Sequence, residues 1–265
     1  MISIAYKIHS KKTDIVISKS KIKLITSLSQ KKFRDETGLF VAEGTKLVTD
    51  LAPSFQCSML IATPQWLAEN KDIKADEFIE VDGDELKKIS NQKSPQGVMA
   101  VFQQPTYNYN LSELNDKLCL ALDDVQDPGN LGTILRIADW FGITDVFCSE
   151  HTADAFSPKT VQATMGALAR VKAHTVNLPE FLQSCAGKLP VYGTFMDGEN
   201  IYSKTLTQHG IIVMGNEGNG ISSTIEKLVT EKLLIPNYPS GQTTSESLNV
   251  GVATALVCGE FRRRT

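Results

Sequence analysis

The sequence predicts an α/β protein built in two parts. Three observations carry that prediction. Short apolar, β-branched runs alternate with amphipathic helical segments along most of the 265 residues. The alternation breaks at a stretch rich in Pro, Tyr and Asn, which separates a front part from a back part. The first run after the break, Leu118–Leu122, is continuously apolar and ends in Asp123-Asp124, as a strand covered on both faces does at its exit. The expected division is an extension at 1–18, an α/β unit at 19–104, a linker at 105–116 and a larger α/β unit at 117–265.

In the front part, Ile22, Leu24, Ile25 and Leu28 fall on one face among lysines, so Ser20–Lys32 reads as an amphipathic basic helix. Leu39–Glu43 reads as a strand turning at Gly44 into a helix over Thr45–Leu51. Ser58–Ala62 precedes a helix opened by Pro64, and Phe78–Val81 precedes the helix Asp84–Ile89. Val98–Phe102, entered through Ser94-Pro95-Gln96-Gly97, closes a sheet expected to be mainly parallel. In the back part, Asp127-Pro128-Gly129-Asn130 is a turn leading into a helix over Leu131–Phe141, with Arg136 projecting from it. Strands follow at Val146–Cys148, Val191–Phe195 (with a turn at Asp197-Gly198), Ile211–Gly215 and Leu233–Pro236. A helix is expected to start at Ser157-Pro158 and run through Val161 to Val171. A last helix, Leu248–Phe261, ends in Arg262-Arg263-Arg264.

Composition excludes several classes. Hydrophobic content of 42% is ordinary for a packed protein. No run reaches the length of a membrane helix, and the start lacks a secretory signal pattern, so a cytoplasmic protein is expected. Cys57, Cys119, Cys148, Cys185 and Cys258 stand singly, as buried reduced thiols do, without zinc spacing. A net charge of −3 argues against a uniformly basic coat, yet residues 1–50 hold ten Lys or Arg against five Asp or Glu. That end is either a phosphate-facing surface or a solvated helix face.

The segment Gly215-Asn216-Glu217-Gly218-Asn219-Gly220 invites a nucleotide reading, but its spacing reverses the dinucleotide fingerprint and no Lys follows at P-loop spacing. Ser247 lacks a nucleophile elbow. His9, His151, His174 and His209 have no partner carboxylate in sight at a strand end, so they read as surface or packing residues. Asp123, Asp124 and Asp127 solvate a strand exit more readily than they bind a metal, and no metal site is expected. What remains is a set of polar residues in three segments: Asn130 and Arg136; Glu217 within its glycine loop; and Ser247 and Asn249 at the head of the last helix.

These segments, N-x-G-x-x-x-R at 130–136, G-N-E-G-x-G-I-S at 215–222, and Ile235-Pro236 followed by Ser247-Leu248-Asn249-Val250, resemble the SpoU (TrmH-like) family of the SPOUT class, the trefoil-knot RNA ribose 2'-O-methyltransferases. They come in the family's order and at broadly its spacing. Phe40–Gly44 and Ser94–Val98 look like the two ends of the ribosomal-protein-like α/β substrate-binding domain that many members carry in front. One departure is the longer stretch Asn237–Glu246.

The resemblance implies S-adenosylmethionine in the knot, held largely by main chain near Thr194, Gly215, Asn216, Gly218, Ile235 and Leu248. It implies catalytic roles for Arg136, Asn130, Glu217, Ser247 and Asn249. A guanidinium stays protonated in ordinary settings, so Arg136 suits a phosphate grip better than proton abstraction. Asn130, Ser247 and Asn249 would orient the ribose or Arg136, and Glu217 would anchor the glycine loop. A homodimer around the first motif's helix and the last helix is implied too, although Val250, Val252, Ala253, Leu256 and Val257 could equally be core. The expected substrate is RNA, with rRNA favoured over tRNA. The alternatives are a non-catalytic RNA-binding assembly factor of the same fold and a methyltransferase with a protein or small-molecule acceptor.

Overall fold

A computed structural model describes residues 17–239 and 247–263. The 1–16 part of the expected extension and the 240–246 part of the long loop lie outside these. Two helices, α1 (Lys19–Ser27) and α2 (Lys31–Thr37), stand where one was expected. The first ends at Leu28, and the second ends at Gly38, whose φ of +65° suits a residue without Cβ. Next come β1 (Leu39–Glu43), α3 (Thr45–Leu51), β2 (Cys57–Ala62), α4 (Pro64–Glu69), β3 (Glu77–Glu80), α5 (Gly83–Ile89) and β4 (Val98–Gln103).

The front sheet has the order β1-β4-β2-β3. It is not mainly parallel: β4 runs antiparallel to both its neighbours, and only β2 and β3 are parallel. Strand–helix alternation gave the wrong expectation because β4 follows α5 but inserts between β1 and β2 in the opposite sense.

The linker stretch holds a single turn, α6 (Leu111–Leu114). The back part then runs β5 (Leu118–Leu122), α7 (Pro128–Trp140), β6 (Asp145–Cys148), α8 (Pro158–Thr164), a 3-10 turn at Ala167–Ala169, and β7 (Lys172–Thr175). It continues through α9 (Leu178–Cys185), β8 (Val191–Asn200), β9 (Gly210–Met214), α10 (Ser223–Glu226), β10 (Glu231–Leu234) and α11 (Val250–Arg263). Where one helix through Val171 was expected, the chain leaves the helix at Met165 and Gly166, both at positive φ, and adds the unpredicted strand β7. The turn expected at Asp197-Gly198 is absent: β8 continues to Asn200. A Cβ on Gly198 would lie 2.4 Å from the Leu233 backbone, so this glycine allows β10 to approach at a register shift.

The large sheet has the order β10-β8-β9-β5-β6-β7, all parallel. The chain moves outward from β5 to one side and returns to the other through β8 and β9, so a topological switch lies between the carboxyl ends of β5 and β9. That is where ligands bind in open α/β sheets. The helices α7 and α8 pack against each other through Gly132, where a Cβ would stand 2.4 Å from Ala163 Cβ.

The two sheets share apolar contacts, with the rings of Phe40 of β1 and Phe156 in tilted contact at 4.9 Å between centres. Beside them Arg34, whose side chain is 3% exposed, donates to Asp154 from Nε at 2.9 Å and also bonds the Leu28 carbonyl. All five cysteines are free and buried. Among the described residues no helix is long and apolar enough to cross a membrane, and no group of three His, Cys, Asp or Glu is placed to hold a metal.

Candidate active site

The switch point is built by two exits. Leu122 pairs with Met214, so Asp123 leaves β5 beside Gly215, and the Asp123 N–H donates to the Met214 carbonyl at 2.9 Å. A Cβ on Gly215 would lie 2.2 Å from the Gly220 backbone. This glycine is required by the loop folding back on itself. Asn216 shapes the same loop: its Oδ1 accepts from the Gly218 and Asn219 amides, and its Nδ2 donates to the Asp124 carbonyl at 2.7 Å. Asp124 supplies that carbonyl from a left-handed backbone, φ +57°, held by Ser149, whose Oγ accepts from the Asp124 amide. Asp123 in turn accepts from the Ser222 amide at 2.7 Å. Asp123 and Asp124 at the strand exit thus fasten this loop in place.

From this loop Glu217 reaches the start of α7. It accepts from the Gln126 and Asp127 amides, both at 3.4 Å, and from Asn130 Nδ2 at 3.0 Å. Asn249 Nδ2 donates to Asn130 Oδ1 at 3.0 Å, while Asn249 Oδ1 accepts from the Gly251 and Val252 amides and so caps α11. The direction of this chain is not arbitrary. A carboxylate only accepts, so Asn130 must turn its NH2 to Glu217 and its oxygen to Asn249. Each amide keeps a second N–H for something outside the protein. The N-cap of α7 is Asp127, not Asn130: its Oδ1 accepts from the Asn130 amide at 2.8 Å. A hydrogen bond from Lys159, then that from the Asn130 amide, holds the Asp127 carboxyl below the usual carboxylate range.

One side of this chain opens on a cleft of about 390 Å³. Every residue expected to bind the cofactor lines it: Thr194, Gly215, Asn216, Gly218, Ile235 and Leu248, with Glu217 and Ser247 beside them. Sequence reasoning missed Met196, Ile221 and Leu233 in its walls. Met196 follows Thr194 by two on β8 and so shares its side of the strand, a period-2 signal that pointed to it. Among the described residues that line it, Glu217 alone carries a formal charge, and none is Lys, Arg or His. Such a cleft disfavours a phosphorylated cofactor. It fits an adenosine with apolar walls and a sulfonium cation near a carboxylate.

Arg136 is not gathered with the others. It is exposed on α7, six residues beyond Asn130 and hence about 120° around the helix from it. It sits instead one turn from Trp140, which is 85% exposed, and the neighbouring α11 also exposes Val252 and Leu256. The last helix's apolar face therefore divides: Val250 and Val257 are core, whereas Val252 and Leu256 face outward.

His174 is a packing residue, as expected, but it has a carboxylate partner that the sequence does not show. It is buried in β7, its Nε2 is 3.0 Å from Asp145 Oδ1, and it stacks on Phe147. The sequence hid the pair because residues 145 and 174 are adjacent only through β6–β7 pairing.

Fold and site together define an α/β protein with a parallel sheet and a largely apolar cleft at its switch point, and comparison with known proteins places it among RNA methyltransferases. The chain belongs to the SpoU rRNA methylase family, whose model matches residues 117–259; an MRM3-like substrate binding domain matches residues 19–100. It is 29% identical over 246 residues to the 23S rRNA (guanosine(2553)-2'-O)-methyltransferase of Bacillus subtilis, covering 91% of this chain and 96% of the relative. A solved structure assigned to the TrmH family, from Porphyromonas gingivalis, superposes with a TM-score of 0.85 at 41% identity, over 94% of this chain and 99% of the other. An AdoMet-bound rRNA methyltransferase from Sinorhizobium meliloti does so at 0.81 and 31%, over 94% and 97%.

Proposed function

We propose that this protein transfers the methyl group of S-adenosylmethionine to a ribose 2'-hydroxyl of ribosomal RNA in the cytoplasm, acting as a homodimer of knotted catalytic domains. The division into an RNA-binding domain at 19–104, a linker at 105–116 and a catalytic domain at 117–265 is part of this reading. The observation that carries it is the hydrogen-bonded chain Asn249–Asn130–Glu217 along one edge of a cleft in which Glu217 is the one charged residue among the described lining. Relatives named for 23S rRNA guanosine ribose methylation, in Bacillus subtilis and Neisseria meningitidis, support rRNA over tRNA.

S-adenosylmethionine supplies an electrophilic methyl on a sulfonium sulfur. Residues of the cleft would hold it, with Ile221, Ile235 and Leu248 against the adenosine and the glycine loop beneath. The second N–H of Asn130 and of Asn249 would then donate to ribose or phosphate oxygens and align the 2'-oxygen for in-line displacement. Both are donors, so their role is orientation; neither removes the hydroxyl proton. Ser247, at the cleft's mouth, would contact the same ribose.

Arg136 fits as a phosphate clamp acting across the dimer. Trp140, Val252 and Leu256 form the apolar strip around it that a second copy would cover, bringing Arg136 to the partner's cleft. Calorimetric titration with S-adenosylmethionine tests the cofactor assignment: the account expects one saturable site per chain, and no heat of binding at millimolar ligand would remove it. Mapping ribose methylation across rRNA and tRNA in a strain lacking the gene tests the substrate, and an unchanged rRNA map would exclude rRNA.

A further inference from the structure

A second groove, of about 690 Å³, lies on the other side of the α7 start, between β1 of the front sheet and α8 of the large one. Pro128 and Gly129 form one end, immediately before Asn130, so the groove and the cofactor cleft flank the same helical turn. Asp127 bonds a lining residue of each: its amide donates to Glu217 of the cleft, and its Oδ2 accepts from Lys159 Nζ of the groove at 3.0 Å. The walls are apolar, from Val161, Ala163 and the rings of Pro128 and Pro158.

The opposite rim is amide chemistry, and its orientation follows from its partners. Gln92 Nε2 donates to the Glu43 carbonyl at 3.3 Å, which obliges Gln162 to meet it with Oε1, at 3.0 Å. Gln162 therefore turns its NH2 away from that bond. Asn91 Nδ2 donates to the Glu43 carboxylate at 3.1 Å, so Asn91 presents its oxygen elsewhere. Glu43 also accepts from the Asn91 amide and from Ser90, so its charge is matched inside the front sheet. The groove thus combines an apolar slot, the unengaged NH2 of Gln162 and oxygen of Asn91 at its rim, the hydrogen-bonded Glu43 carboxylate, and Lys159, ion-paired with Asp127, at the end nearest Asn130.

We infer that this groove seats an unpaired nucleotide adjoining the one that is methylated, its base between the proline rings and its edge read by Gln162 and Asn91, with its phosphate near Lys159. Unpaired RNA bases are recognised by stacking plus hydrogen bonds to an edge; here the flat faces of two prolines would take the place of the usual aromatic rings. The inference rests on the RNA methyltransferase reading above and adds a sequence-reading subsite to it.

The test uses the full chain, a 23S rRNA transcript and radiolabelled S-adenosylmethionine. Gln162 is exposed on α8, so Gln162→Trp fills the groove from its rim without entering the core. The expected result is a rise of about tenfold in the RNA KM, with kcat and the S-adenosylmethionine Kd unchanged, and a smaller rise for Gln162→Ala. A photo-crosslinking amino acid at position 162 should attach to a neighbour of the methylated nucleotide. An unchanged RNA KM in Gln162→Trp, or crosslinks only to distant RNA, overturns the subsite while leaving the enzyme reading intact. Absence of RNA methylation by the wild-type chain overturns both and is told apart by that control.

Discussion

Replacing Asn130 by Ala cuts the polar chain at its middle. Two hydrogen bonds go, both 3.0 Å long: one to the Glu217 carboxylate and one from Asn249. A bond to a charged acceptor contributes about 2 kcal/mol and a neutral one about 1, before discounting for a half-buried site, so a net loss of about 2 kcal/mol in stability is expected. For a chain of this size that is a fall of roughly 4–8 °C in Tm. Catalysis should suffer more, because an oriented donor at the reacting oxygen is lost: about a hundredfold in kcat. Asn130 does not line the cofactor cleft, so the Kd for S-adenosylmethionine should stay within about threefold. Single-turnover methyl transfer with 23S rRNA, paired with calorimetry, reads both quantities on the same sample. A variant that keeps its kcat refutes the chain's role in orientation. One that loses cofactor binding while keeping its Tm refutes the separation of cleft from chain.

Three further outcomes follow from buried groups. Asp145 is held well below the usual carboxylate range, first by its bond with His174 and then by those with Thr144 and Lys117. Its contribution is present at neutral pH and is lost only as pH falls through that lowered value. His174→Ala should therefore lower unfolding stability by about 3 kcal/mol at pH 7, and the gap to wild type should narrow below about pH 4 in urea melts at stepped pH. Arg34→Met strands the Asp154 carboxylate between the two sheets and should destabilise by about 3 kcal/mol, with Asp154→Asn in the double variant recovering part of it in a thermal melt. Burial pushes the Cys57 thiol up to about 11, and the Cys119, Cys148 and Cys258 thiols up to about 12. Iodoacetamide at pH 8 should leave all five cysteines unlabelled in the native chain and label all five in denaturant, as read by intact mass.

The cofactor cleft was legible in the sequence because its parts are strand exits. A β-branched run ending in glycine announces a close backbone approach at Gly215, but Ile235 and Leu248 are reached only through the family resemblance, and all three line one cleft. Asn130, Glu217 and Asn249 were legible as polar residues at element starts, and they meet in one hydrogen-bonded chain. Their pairwise order was not legible, since it depends on which amide faces the carboxylate.

The failures have one physical source, pairing between segments distant in sequence. The antiparallel insertion of β4, the strand β7 and the Asp145–His174 pair are set by sheet register, which local periodicity does not encode. Arg136 illustrates the converse. Its motif spacing tied it to Asn130, but six residues of helix rotate it to another face, beside Trp140.

The central claim is ribose methylation of RNA by this chain. The most direct measurement incubates the purified protein with 23S rRNA and S-adenosylmethionine, digests the RNA to nucleosides and identifies the product by mass spectrometry. The account predicts a 2'-O-methylated nucleoside, with the methyl retained on the ribose after glycosidic cleavage. A methyl found on a base, or no transfer from a protein that binds the cofactor, would contradict it.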